Sequence, residues 1–197
     1  MAKKKRAYHH GDLRATLIAI GLKIVAQKGV QALTLREIGA RAGVSRMAAY
    51  RHFANKHDLV YAISEAGFAQ FAEAISAAKH SAAPDFASRM SAMAVAYVRF
   101  ADEHRAYYDV MFGAEELGHD TQAPPDSAGA RGFAILVDTI REGQESGDVQ
   151  AGEPAVLARF VWSVVHGIST LQLGRDPKFT RLCAELVRTG LAPRAIS

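Results

Sequence analysis

The sequence predicts an all-α protein of about nine helices, with a three-helix domain at residues 1–56 and a larger helical domain at residues 57–197. Three observations lead to this prediction. Apolar residues recur at intervals of three and four through most of the chain, which is the spacing of one helix face. Capping residues stand where these stripes begin. One later segment is apolar on all sides, as a helix that is covered on all sides would be.

The first helix is predicted from Asp12 to Lys28. Its inward stripe consists of Leu13, Leu17, Ile20 and Ile24. Lys28 and Gly29 close it, because a cation suits the negative end of a helix and glycine tolerates the cap conformation. We expect this helix to hold the two short helices that follow.

Residues 34–56 begin with signals for a helix start. Thr34 and Glu37 have the spacing of a capping box. In this motif the hydroxyl of Thr34 accepts from the N–H of Glu37, and the carboxylate of Glu37 accepts from the N–H of Thr34. Leu33 and Ile38 stand at the two positions of a hydrophobic staple. A short helix is therefore expected directly after Thr34.

A glycine-containing turn and a second short helix follow. Gly43 stands where the first helix needs a residue with positive φ to end. Ser45 can cap a helix that runs to about His52. Two short helices joined by a three-residue turn of this kind are typical of a helix-turn-helix.

The second of these helices has a small, basic and aromatic outward face. Ala49 and Phe53 are expected to anchor its inner side. The residues predicted to face outward are Arg46, Met47, Ala48, Tyr50 and Arg51. Such a face suits the major groove of DNA, where arginine can pair with guanine and small residues allow close approach. The alternative is an ordinary pair of packed helices with a solvated basic face.

This stretch resembles the DNA-binding signature of the tetracycline-repressor (TetR/AcrR) family. The matching residues are Thr34, Ile38, Gly39, Ala42, Gly43, Val44, Ser45, Tyr50, His52, Phe53 and Lys56. The resemblance is close over about residues 8 to 60 and architectural beyond them. It departs at Met47, where many relatives carry glycine or another small residue.

Ten residues are candidates for DNA binding. We expect Arg46, Met47, Ala48 and Arg51 near bases, and Thr34, Ser45, Tyr50, His52 and Lys56 at phosphates. Arg36 is a further DNA-binding candidate, with no contact assigned. Lys56 stands at a helix start, whose N–H groups can also hold a phosphate. Because Met47 and Ala48 offer apolar contact, the operator is expected to present thymine methyl groups at this point.

The net charge of +4 hides a division between the two parts of the chain. Residues 1–60 contain six Lys and six Arg against three acids, a net charge of +9, whereas residues 61–197 contain twelve cations against seventeen acids, a net charge of −5. This asymmetry indicates a polyanion partner for the first part, and nucleic acid explains it better than a membrane surface. The basic arm at Lys3–Arg6 is either a solubilising tail or a source of further DNA contacts.

Several classes of protein are excluded. A single cysteine, Cys183, forms no internal disulfide, and its apolar stripe predicts a buried, inert thiol. No signal peptide is visible, and the apolar run at residues 160–173 is too short and too polar to span a bilayer. We expect a cytoplasmic protein without membrane association. No nucleophile elbow, metal-ligand spacing or phosphate loop is present, so neither an enzyme nor a cofactor is predicted, and His9 and His10 are assigned no metal.

A long helix is predicted to connect the two domains. Asn55 caps it, and it reaches about Lys79. Its inward residues are Leu59, Ile63, Phe68, Phe71 and Ile75. The resemblance implies that this helix links the DNA-binding domain to the C-terminal body.

An aromatic group in the C-terminal part is the candidate ligand site. A break at residues 81–84 precedes Asp85, which can cap the next helix. The candidate ligand residues are Met93, Tyr97, Phe100, Tyr107, Tyr108, Met111, Phe112 and, beyond a loop predicted at residues 113–130, Phe133, Trp162 and His166. Aromatic and methionine walls with a few polar tips are typical of an apolar ligand cavity. The alternative for each is core packing.

Trp162, His166 and Gly167 resemble a Trp…His-Gly pattern in the sensor domain of one TetR subgroup. Trp162 and His166 are four residues apart and share a helix face. The alternative interpretation is a core tryptophan, a hydrogen-bonded histidine and the close approach of another helix at Gly167.

The helix predicted at about residues 154–173 is apolar nearly all round, and the last helix, at about 177–190, carries an apolar stripe. Covering both requires a second subunit, so we expect a two-fold homodimer, which the resemblance also implies. A dimer suits a palindromic operator.

Three hypotheses for function follow. The first is a homodimeric repressor that binds a palindromic operator and is released by a small, apolar effector. The second keeps the DNA binding but makes the protein an activator or a regulator without a ligand. The third is a helical ligand-binding module without specific DNA binding.

Overall fold

The computed structural model describes residues 13–113, 124 and 126–193, and within these ranges the chain forms nine α-helices and no strand. The predicted all-α class is confirmed. The helices are α1 (Leu13–Lys28), α2 (Leu35–Ala42), α3 (Arg46–Tyr50), α4 (Lys56–Ser81), α5 (Phe86–Glu103), α6 (Arg105–Phe112), α7 (Ala128–Glu145), α8 (Pro154–Thr170) and α9 (Pro177–Leu191). Two short 3-10 turns lie at Val30–Ala32 and Leu173–Arg175.

The local signals for the helix-turn-helix are confirmed. The Thr34 hydroxyl accepts from Glu37 N at 3.2 Å at the start of α2. Gly43 ends α2 with φ 68°, a conformation that glycine adopts without a Cβ penalty. The Ser45 hydroxyl accepts from Ala48 N at 3.2 Å at the start of α3.

Two details of that stretch differ from the prediction. The Glu37 carboxylate does not complete the capping box, because Oε1 accepts from Arg41 at 2.8 Å and from Lys28 at 3.3 Å. The hydrogen bond from Lys28 is the largest cause that lowers the pKa of Glu37. Helix α3 ends at Tyr50 rather than at His52, because the chain turns there to bury Phe53.

A first core joins α1, α2, α3 and the first half of α4. Its fully buried residues are Leu17, Ile24, Leu33, Ile38, Ala49, Leu59 and Ile63. Val110 of α6, 1% exposed, belongs to the same core. The first domain therefore packs on the start of α4 and on one side of α6.

Two further cores build the C-terminal part. The first of them contains Phe71, Ile75, Met93, Tyr97, Phe100, Ala101, Tyr108 and Met111. The other contains Ile140, Val149, Ala158, Val161 and Leu191. The predicted caps at Asn55 and Asp85 are confirmed, since each side chain accepts from the N–H three residues on, at 2.9 and 2.8 Å. Glu142 of α7 accepts from Lys79 of α4 and from Arg89 of α5, at 2.8 and 2.9 Å, and so ties three helices together.

The bounds of α7 and α8 and the burial of Cys183 differ from the prediction. Helix α7 begins at Ala128, inside the predicted loop, because Ser127 caps it by accepting from Ala130 N at 3.1 Å. Helix α8 ends at Thr170, before its predicted end at Leu173, where a short 3-10 turn begins. Cys183 is half-buried rather than buried. The basic arm, His9, His10 and most of the predicted loop lie outside the described residues.

Helices α8 and α9 leave apolar side chains uncovered. Val156 and Phe160 are 55% and 45% exposed, and Leu182 and Leu186 are 52% and 59% exposed. No helix in the described part of the chain is both long and apolar enough to cross a membrane.

Candidate functional site

Helix α3 presents most of the predicted base-reading residues to solvent. Its inner side is fixed by Ala49, which is fully buried, and by Phe53 just beyond its end. Arg46, Met47, Tyr50 and Arg51 are exposed, and Ala48 is half-buried. Met47, at 66%, is the most exposed large apolar residue of the helix-turn-helix. We call this outward side the α3 surface.

The α3 surface is held in place by close packing and by stacked arginines. A Cβ on Gly39 would lie 3.5 Å from the Cβ of Ala49, so α2 and α3 are already in contact at this glycine. The Arg46 guanidinium lies 5.3 Å from the centre of the Tyr50 ring, which restricts an otherwise mobile side chain. Arg14 of α1 lies over the Phe53 ring at 5.4 Å, a contact that the sequence did not single out.

The residues predicted at phosphates surround the α3 surface. Thr34, Arg36, Ser45 and His52 are all exposed. The caps use the hydroxyl oxygens of Thr34 and Ser45 as acceptors, which leaves each O–H hydrogen able to be donated to an anion. Lys56 is half-buried, and its Nζ lies 3.4 Å from the carbonyl oxygen of Gln31, so its stem is held against the first domain.

A large cleft of about 1980 Å³ lies between α4, α5, α7 and α8 and extends to α9. Seven of the ten predicted ligand residues line it: Met93, Tyr97, Met111, Phe112, Phe133, Trp162 and His166. The volume exceeds that of a typical ligand pocket, about 300–1,000 Å³, because the cleft includes an open mouth lined by exposed residues of α9 such as Arg181 and Glu185.

The other three predicted ligand residues do not line the cleft. Phe100 is buried in the second core and packs against Phe71 with ring centres 5.4 Å apart. Tyr107 packs between the first and second cores. Tyr108 is 2% exposed, and its hydroxyl contacts the lining residue His166.

Sequence reasoning assigned some lining residues to the core only. Phe68 and Phe71 were interpreted as part of the inward stripe of α4, yet both line the cleft, as do Leu136 and Val165. A helical stripe contains no signal that separates a core position from a cavity wall.

A polar cluster lies at the inner wall of the cleft. It consists of Tyr97, Tyr108, Trp162, His166 and Thr170, and we call it the His166 cluster. The hydroxyls of Tyr97 and Tyr108 lie 3.0 and 2.9 Å from His166 Nδ1. Trp162 Nε1 donates to the Tyr97 hydroxyl at 3.3 Å. Thr170 Oγ1 lies 3.2 Å from the Tyr108 hydroxyl and 3.3 Å from His166 Nε2.

Burial favours the neutral forms of His166 and Tyr97. It lowers the pKa of His166, because desolvation disfavours the imidazolium. Desolvation, followed by the neighbouring Tyr108, raises the pKa of Tyr97 far above its usual range. Tyr97 is therefore a hydrogen-bond donor at neutral pH. The prediction of a hydrogen-bonded histidine is confirmed. Thr170 was not predicted as its partner, although a position four residues after His166 lies on the same helix face.

The prediction of a close helix approach at Gly167 is wrong for a single chain. A Cβ added to Gly167 would meet nothing within 4 Å. The close glycine contact lies instead at Gly67 of α4, where a Cβ would stand 2.7 Å from Met111 Sδ and 2.9 Å from Tyr107 Cδ1. Helices α4 and α6 are thus in tight contact beside the cleft. Among the described residues, no group of three His, Cys, Asp or Glu is placed to hold a metal ion.

Comparison with known proteins gives consistent results over both parts of the chain. Residues 17–63 match a family model described as bacterial regulatory proteins, tetR family, and residues 90–192 match one described as tetracyclin repressor-like, C-terminal domain. Comparison with curated proteins gives no match.

Solved structures share the fold over nearly the whole chain. A protein of unknown function from Rhodococcus sp. RHA1 is 31% identical, with a TM-score of 0.80 over 95% of this chain and 100% of that one. A regulatory protein in the tetR family from Rhodococcus RHA1 is 25% identical, with a TM-score of 0.71 over 92% and 98%. The TetR family transcriptional regulator PfmR from Thermus thermophilus is 20% identical, with a TM-score of 0.68 over 88% and 97%, and supports the fold alone.

Proposed function

Because the chain belongs to the TetR family of transcription regulators, we propose that it is a homodimeric repressor that binds a palindromic operator and is released by a small effector. Proteins of this family regulate transcription and are not enzymes. The α3 surface is the observation that carries the proposal. Arg46, Met47 and Arg51 face solvent there on a short helix whose inner side is buried at Ala49.

Each subunit would place α3 in the major groove of one half-site. Arg51 and Arg46 then reach guanine edges, and Met47 and Ala48 lie against thymine methyl groups. Thr34 and its neighbours at the starts of α2 and α3 supply hydroxyl and N–H donors to phosphates. Residues 1–56 form the DNA-binding domain in this proposal, and residues 57–197 the ligand-binding and dimerisation domain.

The exposed apolar faces of α8 and α9 support a dimer. Phe160, Leu182 and Leu186 are each close to half exposed in the single chain, and large apolar side chains left exposed on neighbouring helices suit an interface. Pairing the two helices with their two-fold mates would cover these side chains in a four-helix contact. The dimer would hold two α3 surfaces at a fixed separation, as a palindromic site requires.

Helix α6 offers a path between the cleft and the DNA-binding domain. Met111 and Phe112 line the cleft, whereas Val110 lies in the first core. A ligand that displaces α6 at Met111 also displaces Val110, because both residues belong to this helix and interiors are close-packed. The tight contact with Gly67 passes the same displacement to α4. By reciprocity, an effector that weakens DNA binding must itself bind more weakly to the DNA-bound dimer.

The open cleft favours a ligand-responsive regulator over one whose cavity is filled by its own side chains. Aromatic residues line it, and donors and acceptors converge at the His166 cluster. Such an arrangement is typical of a site that orients a small molecule.

The substitution Arg51→Ala tests the proposal on DNA recovered from a random pool. We expect binding to fall by about 1–3 kcal/mol and specificity to relax at one base pair of each half-site. Arg141→Ala removes an exposed arginine from α7 and serves as the control, for which we expect no change. Equal loss of affinity for all sequences would make Arg51 a phosphate contact instead, and loss in neither variant would contradict the placement of α3 in the groove.

A further inference from the structure

The approach to the His166 cluster is lined with aromatic rings. Trp162 lies between Phe112 and Phe133, with ring centres 6.4 Å from each. The ring of Tyr97 meets that of Phe71 edge-on at 5.0 Å. All five of these residues line the cleft. Ring faces and edges in this arrangement favour a flat aromatic molecule over a flexible aliphatic chain.

The His166 cluster directs two tyrosine hydroxyls at one ring nitrogen of His166. Two tyrosine hydroxyls lie within 3.0 Å of the single nitrogen Nδ1 of His166, and a neutral ring nitrogen accepts only one hydrogen bond along its lone pair. Tyr108 has a second partner in Thr170. Tyr97 has Trp162, which is itself a donor. Whenever Tyr108 donates to Nδ1, the hydroxyl hydrogen of Tyr97 is left for the oxygen of the neighbouring Tyr108 or for an acceptor in the cleft, which Tyr97 lines.

The charged groups around the cleft do not reach this cluster. The arginines that line the cleft, Arg99, Arg159, Arg181 and Arg188, are exposed to solvent. Arg105 lies 5.6 Å from the Tyr108 ring but donates to Asp109 at 2.8 Å. An anion buried at the cluster would meet neutral donors only, and burying a charge without an opposite charge is costly.

We propose that the cleft binds a neutral, flat aromatic molecule that carries one hydrogen-bond acceptor, such as a carbonyl oxygen, and that Tyr97 donates to this acceptor. The aromatic body lies against the rings of Trp162, Phe112 and Phe133. The proposal rests on the proposed function, since it names the chemical class of the effector. The two can fail separately, because DNA binding is measured without a probe.

Three matched naphthalenes test the proposal: 2-acetonaphthone, which is neutral with a carbonyl, 2-ethylnaphthalene, which lacks an acceptor, and 2-naphthoate, which is anionic. Affinity is measured by equilibrium dialysis with the full chain. We expect the ketone to bind roughly three- to tenfold more tightly than the hydrocarbon, as one hydrogen bond allows, and more tightly than the anion. Trp162 is the one tryptophan of the chain, so its fluorescence should fall as the ketone binds, beyond the loss seen with free tryptophanamide.

The variant Tyr97→Phe removes the hydroxyl and keeps the buried ring. We expect the ketone to lose its preference over the hydrocarbon, with the ratio of affinities close to one. Tyr107→Phe is the matched control, because Tyr107 lies outside the cleft lining, and it should keep the wild-type ratio. Thermal unfolding of both variants checks that they fold.

Four results would overturn the proposal: no ketone binding up to its solubility limit, equal binding of ketone and hydrocarbon, tighter binding of 2-naphthoate, or an unchanged preference in Tyr97→Phe. If the protein binds selected DNA but gives one of these results, only the proposed ligand class is contradicted. A chain that binds the ketone as expected but selects no DNA contradicts the proposed function instead.

Discussion

Replacing Gly67 with alanine places a methyl group in the contact between α4 and α6. The new Cβ would stand 2.7 Å from Met111 Sδ and 2.9 Å from Tyr107 Cδ1, both closer than real Cβ contacts. Met111 is flexible and can move, but the tyrosine ring cannot bend away. Overpacking of this kind costs about 1–3 kcal/mol, whereas alanine in a helix interior gains up to about 1 kcal/mol over glycine.

A second glycine provides a matched control for that substitution. Gly132 of α7 is also helical, buried and packed against α4, but its Cβ would lie 3.6 Å from Ala72 and Phe71, an ordinary contact. Gly132→Ala therefore has the helical gain without the clash. We expect Gly67→Ala to be less stable than Gly132→Ala by about 1–2 kcal/mol, since Met111 can relax part of the overlap.

Thermal unfolding followed by circular dichroism measures this difference. For a chain of this length, about 1–2 kcal/mol corresponds to a Tm lower by about 2–8 °C. Both variants are compared at the same protein concentration, because dimerisation makes Tm depend on concentration. A Gly67→Ala protein that unfolds at or above the Tm of Gly132→Ala would refute the tight packing of α4 on α6 and, with it, the path from the cleft to the first core.

Three further predictions concern the helix cap, the dimer and the buried histidine. Ser45→Ala removes the α3 cap and should lower the free energy of unfolding in urea by about 1 kcal/mol, whereas Ser163→Ala, at an exposed position of α8, should change it by less than about 0.5 kcal/mol. Leu186→Glu places a charge on the exposed apolar face of α9 and should shift sedimentation from dimer to monomer, whereas Ala134→Glu on α7 should not. Because burial lowers the pKa of His166, the unfolded chain takes up this proton first, so wild-type stability falls as pH drops through the ordinary histidine range. His166→Gln should show a shallower fall in Tm, and an equal fall would contradict the buried, neutral imidazole.

The helix-turn-helix could be predicted closely because its signals are local. The caps at Thr34 and Ser45 and the positive φ of Gly43 each depend on a few neighbouring residues, and each is confirmed. The prediction that Glu37 completes the capping box was wrong, because its carboxylate is also within reach of Lys28, nine residues away. The position of Lys28 depends on how α1 packs on α2.

The cleft was predicted less completely because it is a product of tertiary packing. Its polar cluster joins α5, α6 and α8, and no sequence spacing relates Tyr97 to His166. Helical periodicity assigned Phe68 to an inward stripe correctly, but whether an inward residue meets another side chain or an open space depends on the neighbouring helices. Whether another helix approaches Gly167 likewise depends on tertiary packing, and in one chain a Cβ at this position would face open space.

Selection of bound DNA from a random pool tests the central claim most directly, namely that a dimer reads a palindrome through two α3 surfaces. We expect an enriched sequence with two inverted half-sites at a fixed spacing, each containing a guanine for Arg51 and a thymine beside Met47. In the Arg51→Ala protein the half-sites should still be enriched, but without the preference for that guanine. Recovery of no common sequence, or of a single half-site without its inverted copy, would contradict the claim.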